Sequence, residues 1–428
     1  MRAVRAGTAV GRQPLWANRD FTVFWCGQTF SELGNAFALV ALPLLVLKAT
    51  GSVVQMGLLT AVAGVASIGT GLFAGILVDR LPRRQLMIVC DGVRVVLFAL
   101  IPASWALAGP QVWLLYVVMA LAAVFDMVFK VTYVAAVPNL VDTERIIEAN
   151  GRLTTTNAIA FIAGPMLAGG LSGLLGPTAA IAVNAASFAA SALALSLIRF
   201  RKTAAEDATP PAGAAGATGA AGWRRAKQEF LAGFVFLWQA PVLRWLTVLL
   251  TGVSLLSLGM TDVFIYQIRE GLDGSDRTVG VVMGVAGAGT VLAAVLIPVL
   301  RRSLGFGVCW LGSNTLCALA LGLLSRSTTV LGTTVTVLCY QFGMTLAGIS
   351  SMSLRQAVTP DHLLGRVTSA FWTLHNSLAP LGAAGLTALV ARFGVRGPLL
   401  GSAALFLLIV AVGVCTPIRQ RAPGVATG

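Results

Sequence analysis

Residues 75–84, GILVDRLPRR, place an aspartate and three arginines between two apolar runs, 54–78 and 86–107. Each run is long enough to cross a hydrocarbon layer as a helix, which takes about 20 apolar residues. The charged stretch between them therefore reads as a tight turn at a membrane face. Working outward, the same alternation of apolar run and short loop recurs at 21–46, 54–78, 86–107, 112–136, 153–175, 177–198, 243–266, 278–300, 304–324, 328–351, 367–391 and 395–417, which makes twelve spans. Continuous runs of this length fit helices, whereas barrel strands would alternate over about ten residues. The fold expected is an all-α polytopic membrane protein, with twelve transmembrane helices in two six-helix pseudo-symmetric bundles.

Composition agrees with this reading. Of 428 residues 57% are hydrophobic and 11% charged, against roughly 45–50% apolar and about 25% charged in a soluble domain. The formal net charge is +14, but the basic residues are spread thinly, so a nucleic-acid partner is not expected. Cys26, Cys90, Cys309, Cys317, Cys339 and Cys415 show no CxxC spacing and sit in apolar runs. They read as small buried hydrophobes, with neither a disulfide framework nor a metal site. No Walker loop, HExxH or GxSxG with partners is present, so no enzyme and no cofactor is expected. Without an ATP site, the energy source should be an ion gradient.

The largest break in the pattern lies between residues 199 and 242, where TAAEDATPPAGAAGATGAAG is too poor in bulky residues to bury a core. The segments expected are a tail over 1–20, a six-helix bundle over 21–198, a linker over 199–242, a second bundle over 243–417 and a tail over 418–428. Residues 223–238 mix Lys and Arg with Phe230, Phe234, Leu237 and Trp238, which suits a helix along the membrane surface. A weak internal repeat lays Gly151–Leu171 over Gly365–Leu386, with Gly164-Pro165 facing Ala379-Pro380. Parallel halves of this kind are a known transporter architecture. The N-terminus lacks a cleavable signal pattern and reads as a retained tail. Lys and Arg placement then sets orientation: 22 of the 30 basic residues fall on the side of the termini, six on the other and two, Arg94 and Lys130, inside spans. Both termini are expected in the cytoplasm.

GILVDRLPRR resembles the signature of the major facilitator superfamily, G-x-x-x-D-R-x-x-R-R/K, at the junction of spans two and three where that family carries it. Gly75, Asp79, Arg80, Arg83 and Arg84 match, and Pro82 departs where many members have Gly. The resemblance implies that Asp79 holds the two halves together on the cytoplasmic side in one conformation and releases them in the other. The second-half counterpart near Pro298–Arg302 keeps two arginines but no Asp, so such a latch would be asymmetric. Within the superfamily the chain resembles the drug-exporter branch that contains macrolide efflux proteins and the enterobactin exporter. This rests on FWCGQTFSELGNAFALVALPLLVLKATGS in span one, Asp91 and Arg94 in span three, VPNLVDTERIIEANGRL after span four, and FLWQAPVLRWL and RQAVTPDHLLGRVTSAFW in the second half.

Ionisable groups inside spans are costly in lipid, so each is a functional candidate. Glu32 lies near the middle of span one, with Gln28 and Asn35 at helical spacing on the same face. A carboxyl in an apolar cavity loses hydration of its charged form, which equips it for proton uptake and release. The resemblance to proton-coupled exporters puts Glu32 first for the proton and cationic-substrate site; family members often carry an acidic residue where Asn35 stands. Asp91 and Arg94, at i, i+3, can pair and are expected to belong to a cytoplasmic charge network with the Asp79 loop. Asp126 could extend that network to Arg80 or Arg83, or serve as a second protonatable carboxyl. Asp262, near the outer end of span seven, is a candidate from the second half. Further cavity candidates are Phe37, Asn157, Phe161, Tyr266, Gln341, Trp372, His375 and Asn376.

The function expected is secondary active export of bulky amphiphilic small molecules, drug-like, macrolide-like or siderophore-like, by proton antiport with alternating access. The partners expected are the small-molecule substrate, protons and membrane lipids, for a monomer spanning a bacterial inner membrane. Proton-coupled uptake, or a transport-inactive receptor or scaffold on the same fold, are the alternatives.

Overall fold

The structure, a computed structural model, describes residues 15–142, 145–200 and 231–422. Most of the tail over 1–20 and of the linker, including residues 223–230 of the expected surface helix, lies outside the described residues.

Six helices make up the first half: α1 Arg19–Thr50, α2 Val53–Arg80, α3 Arg83–Ala108, α4 Val112–Ala136, α5 Ile146–Leu175 and α6 Pro177–Leu197. Their ends follow from local chemistry. Asn18 caps α1 by accepting from the Phe21 amide, and Gly51, at φ 63°, ends the helix in a conformation that only glycine adopts without strain. Ser52 caps α2 in the same way through the Gln55 amide. Residues 231–239 are helical and pack closely on the second half: a Cβ at Gly233 would collide with the Arg366 carbonyl oxygen. There follow α7 Pro241–Ser257, α8 Met260–Tyr266 with one π-helical turn Gln267–Gly271, α9 Asp276–Leu324, α10 Val330–Val358, α11 Asp361–Asn376, α12 Ala379–Phe393 and α13 Arg396–Val414.

Among the described residues, eleven stretches are long and apolar enough to cross a membrane. One of them, α9, is 49 residues long and turns at Gly305, whose φ of 82° and ψ of 179° are not helical. A straight helix of that length would reach about 73 Å at 1.5 Å per residue, more than twice a hydrocarbon core of about 30 Å. The turn divides α9 into two crossings and brings the total to twelve. Crossing seven is likewise α7 with α8, and crossing eleven is α11 with α12. The proline pair of the repeat behaves differently in its two copies. Pro165 lies inside the continuous α5, whereas Pro380 follows a break at residues 377–378 that separates α11 from α12.

Successive antiparallel helices leave two faces. One carries Asn18, Leu81, Ile198, Thr359 and Thr416; the other carries Gly51, Gly109, Gly176, Ser275 and Gly394. The two halves meet along two seams of small residues. In one, α5 meets α9: a Cβ at Gly169 would run into Gly280 Cα, and one at Gly284 would run into Met166 Cγ. In the other, α2 meets α12: Gly57 faces Thr387 and Gly64 faces Pro380. Close backbone approach at small residues is how helices gain contact in lipid, where apolar burial alone gives no drive to associate.

Candidate functional site

The charged residues inside the first half converge on one arginine. Arg94 of α3 is 1% exposed, and its guanidinium is covered on its faces by Phe129 at 4.6 Å and Phe188 at 4.1 Å. Its edge donates to Asp91 on the same helix and, at 3.0 Å, to Asp126 on α4. Asp126 also receives Lys130 Nζ at 2.7 Å, one helical turn on. Both flat surfaces of this buried guanidinium are covered and its two terminal nitrogens are bonded to carboxylates, while Nε is buried without a partner. Asp91 is fully buried, with Ser191 of α6 beside it. Gln28 of α1 reaches the same Ser191, its amide nitrogen 3.1 Å from the hydroxyl oxygen.

Glu32 stands over this cluster, within electrostatic reach of Lys130, Asp126 and Arg94. It is partly buried, as is Asn35. Among the described residues the Glu32 carboxylate makes no hydrogen bond and no ion pair, whereas Asp91 and Asp126 are both held. The face expected to group Gln28, Glu32 and Asn35 is therefore divided. Gln28 is 3% exposed and turned into the bundle, while Glu32 and Asn35 keep some access. Among the described residues Asp126 is paired with Arg94 from the adjacent helix and Lys130 from its own; the Arg80 side chain expected near it lies outside the described residues, and Arg83 lies 3.5 Å from the side-chain oxygen of Asn139, just past the end of α4.

In the expected gate motif, Arg84 donates to the carbonyls of Leu195 and Ser196, tying the turn between α2 and α3 to the end of α6. Gly75, Asp79 and Arg80 fall on α2, but Asp79 and Arg80 side chains, and the surroundings of Gly75, lie outside the described residues. Asp262 is 2% exposed and accepts a hydrogen bond from Thr60 of α2 at 2.7 Å. It joins the halves.

The cavity candidates are scattered. Phe37 is buried in the core of the first half, which makes it a packing residue. Asn157 and Phe161 are exposed along α5, and Tyr266 and Gln341 are partly buried. Trp372 and His375 form one aromatic group with Phe371 on α11, and Asn376 donates back to the Trp372 carbonyl at 3.0 Å.

Two features have little signal in the sequence. Lys48 at the end of α1 pairs with Asp276 at the start of α9, 2.5 Å apart and 228 residues distant in the chain, and Arg269 lies 3.4 Å from the same carboxylate. This ion triad and the Thr60–Asp262 bond both join the halves toward the face of Gly51 and Ser275. In sequence Lys48 resembles any loop cation, and only the fold supplies its partner. The second is Arg355, counted in sequence among the basic residues of the cytoplasmic side, which is 5% exposed.

Comparison with known proteins places this arrangement. Over 401 residues the chain is 26% identical to the multidrug efflux pump Tap of Mycolicibacterium fortuitum, covering 87% of this chain and 92% of that one. It is 24% identical to the enterobactin exporter EntS of Escherichia coli O6:K15:H31, covering 79% and 77%. The fold matches the nucleoside transporter NupG with a TM-score of 0.72 over 92% of this chain and 98% of that one, at 13% identity. A bacterial homologue of the iron transporter ferroportin in an inward-facing state matches with a TM-score of 0.64 over 93% and 100%, at 16% identity. The family model for the Major Facilitator Superfamily matches residues 24–384, and the chain is a multi-pass membrane transport protein belonging to that superfamily.

Proposed function

We propose that this protein exports amphiphilic small molecules across a bacterial inner membrane by proton antiport, with Glu32 as the proton carrier. The observation that carries the reading is the state of the three carboxylates. Asp91 and Asp126 are each held by a basic partner, while Glu32 beside them makes no ion pair among the described residues. Neutralising Asp91 or Asp126 would break a bridge to Arg94 and leave the buried cation with less counter-charge. Glu32 can change charge without breaking a bridge, and its charge acts on a cluster that contacts α1, α3, α4 and α6. Protonation from the outside favours release of substrate; deprotonation toward the cytoplasm favours rebinding.

Export as the direction is supported by the similarity to a multidrug efflux pump and an enterobactin exporter. Residues 21–198 and 243–417 would move as two bodies about the seams. The contacts joining them at the Lys48–Asp276 end suit a state that loads from the face of the chain ends, which the basic-residue excess assigns to the cytoplasm. Asp79 would close that face in the other state.

A transport screen in proteoliposomes with an imposed pH gradient tests the function. Macrolides, tetracyclines, cationic dyes and siderophores are offered from the side of the termini. At least one should move against its own gradient and stop when the pH gradient is collapsed by an ionophore. Gradient-independent equilibration of every solute by folded protein contradicts antiport.

A further inference from the structure

Arg355 sits in the last turn of α10, and among the described residues no acid pairs with it. Its guanidinium lies 3.4 Å from the centre of the Phe371 ring and 5.8 Å from that of Trp372, both on α11. Its Nη1 is buried without a hydrogen-bond partner. No described carboxylate lies within ion-pairing distance of it. His375 stacks on Phe371 with 5.4 Å between ring centres and 12° between planes, and its buried Nδ1 is also without a partner. Trp372 closes the group edge-on to both rings and is itself 46% exposed, whereas Arg355 and Phe371 are buried.

A guanidinium laid on a ring satisfies its flat face through the cation–π attraction. Its N–H donors point outward along the edge, in the fork that matches a carboxylate. A buried polar group left unmatched in a folded protein calls for a specific explanation, and a buried cation without an anion is the costlier case. We infer that Arg355, Phe371, Trp372 and His375 form a binding site for an aromatic carboxylate, with Arg355 taking the carboxylate and Trp372 the ring. The site faces the end of the molecule from which the exporter reading has substrate enter. As an assignment of solute class it rests on that reading, and it adds an anionic group to the cationic or neutral amphiphiles that the acidic first half favours. The binding itself does not depend on transport.

The test is equilibrium binding to the full-length protein in phosphatidylcholine nanodiscs, by calorimetry and tryptophan fluorescence. Benzoate is compared with its neutral isostere benzamide and with inorganic phosphate. Benzoate should bind at least tenfold more tightly than benzamide and than phosphate. Arg355→Gln should abolish the preference, Arg355→Lys should retain part of it, and Trp372→Leu should weaken benzoate while removing the fluorescence change. Asp361, the acidic residue six positions on, is tested by Asp361→Asn, which should leave the preference intact; a preference that appears only in this variant overturns the proposal. Equal binding of benzoate and benzamide to the wild type overturns it without reference to any variant. Phosphate that matches benzoate, with benzoate displaced when phosphatidylglycerol is added to the nanodisc, assigns the arginine to lipid headgroups and also overturns it. A failure of pH-driven transport with benzoate binding intact rejects the exporter reading and leaves the site standing.

Discussion

Arg94 and Arg355 each lay a guanidinium on a phenylalanine ring inside a helical half, and there the likeness stops. Arg94 is covered on both faces and donates to two carboxylates from two helices. Arg355 has ring neighbours on one helix and no described acid. The first is a closed arrangement that fixes α3 against α4 and leaves Glu32 as the group free to change. The second leaves its buried Nη1 without an acceptor. The same residue type with the same aromatic partner therefore serves packing in one half and offers an unmatched charge in the other.

The comparison breaks most visibly under mutation. Arg94→Met strands Asp91 in the interior and leaves Asp126 with Lys130 alone, and breaking a buried pair by removing one partner costs about 3–5 kcal/mol. Thermal unfolding in detergent should fall sharply, and Asp91→Asn combined with Asp126→Asn should restore part of the loss. A full-length, wild-type-like melt for Arg94→Met would remove the distinction between the two arginines.

The seams come next in size. Gly169→Ala places a methyl where it would overlap Gly280 Cα, so a backbone must move at about 1–3 kcal/mol. Gly170 on the same helix has nothing within 4 Å of an added Cβ, and Gly170→Ala should be neutral or slightly stabilising. Equal effects at the two positions would mean that the α5–α9 seam does not constrain the fold. Thr60→Val removes the hydroxyl that serves the buried Asp262 across the α2–α8 contact, at about 1–3 kcal/mol for an unsatisfied buried acceptor; the readout is a lowered unfolding temperature in detergent. Arg355→Met should cost less than Arg94→Met, about 2 kcal/mol from the desolvated ring contact, because no described carboxylate is stranded.

Much of this architecture can be read in the sequence. Twelve apolar runs and the basic asymmetry define the crossings, and the turn within α9, at Gly305, falls two residues past the gap between runs 278–300 and 304–324. The extents are less legible: α5 begins at Ile146 and not near 153, since a polar first turn outside the hydrocarbon still forms helix. The i, i+3 spacing of Asp91 and Arg94 permits a pair, but the third member, Asp126, depends on how α3 is rotated against α4, which hydropathy does not encode. Gln28 shows the same limit, because helical spacing places it near Glu32 while packing turns it to Ser191. Arg355 looks like a face-anchoring cation because it is three residues from the end of α10. Burial follows from the direction of its side chain, which in a helix leans toward the N-terminus and so, here, into the protein.

The central claim is that Glu32 carries the proton because it is the carboxylate of its cluster held by no ion pair. Proteoliposomes containing wild type or Glu32→Gln, loaded with a substrate from the transport screen, allow substrate efflux and dissipation of an imposed pH gradient to be followed together. The account predicts that Glu32→Gln still binds substrate and remains folded but neither drives efflux from the gradient nor dissipates it in response to substrate. Full gradient-driven efflux with normal proton movement in Glu32→Gln would contradict it.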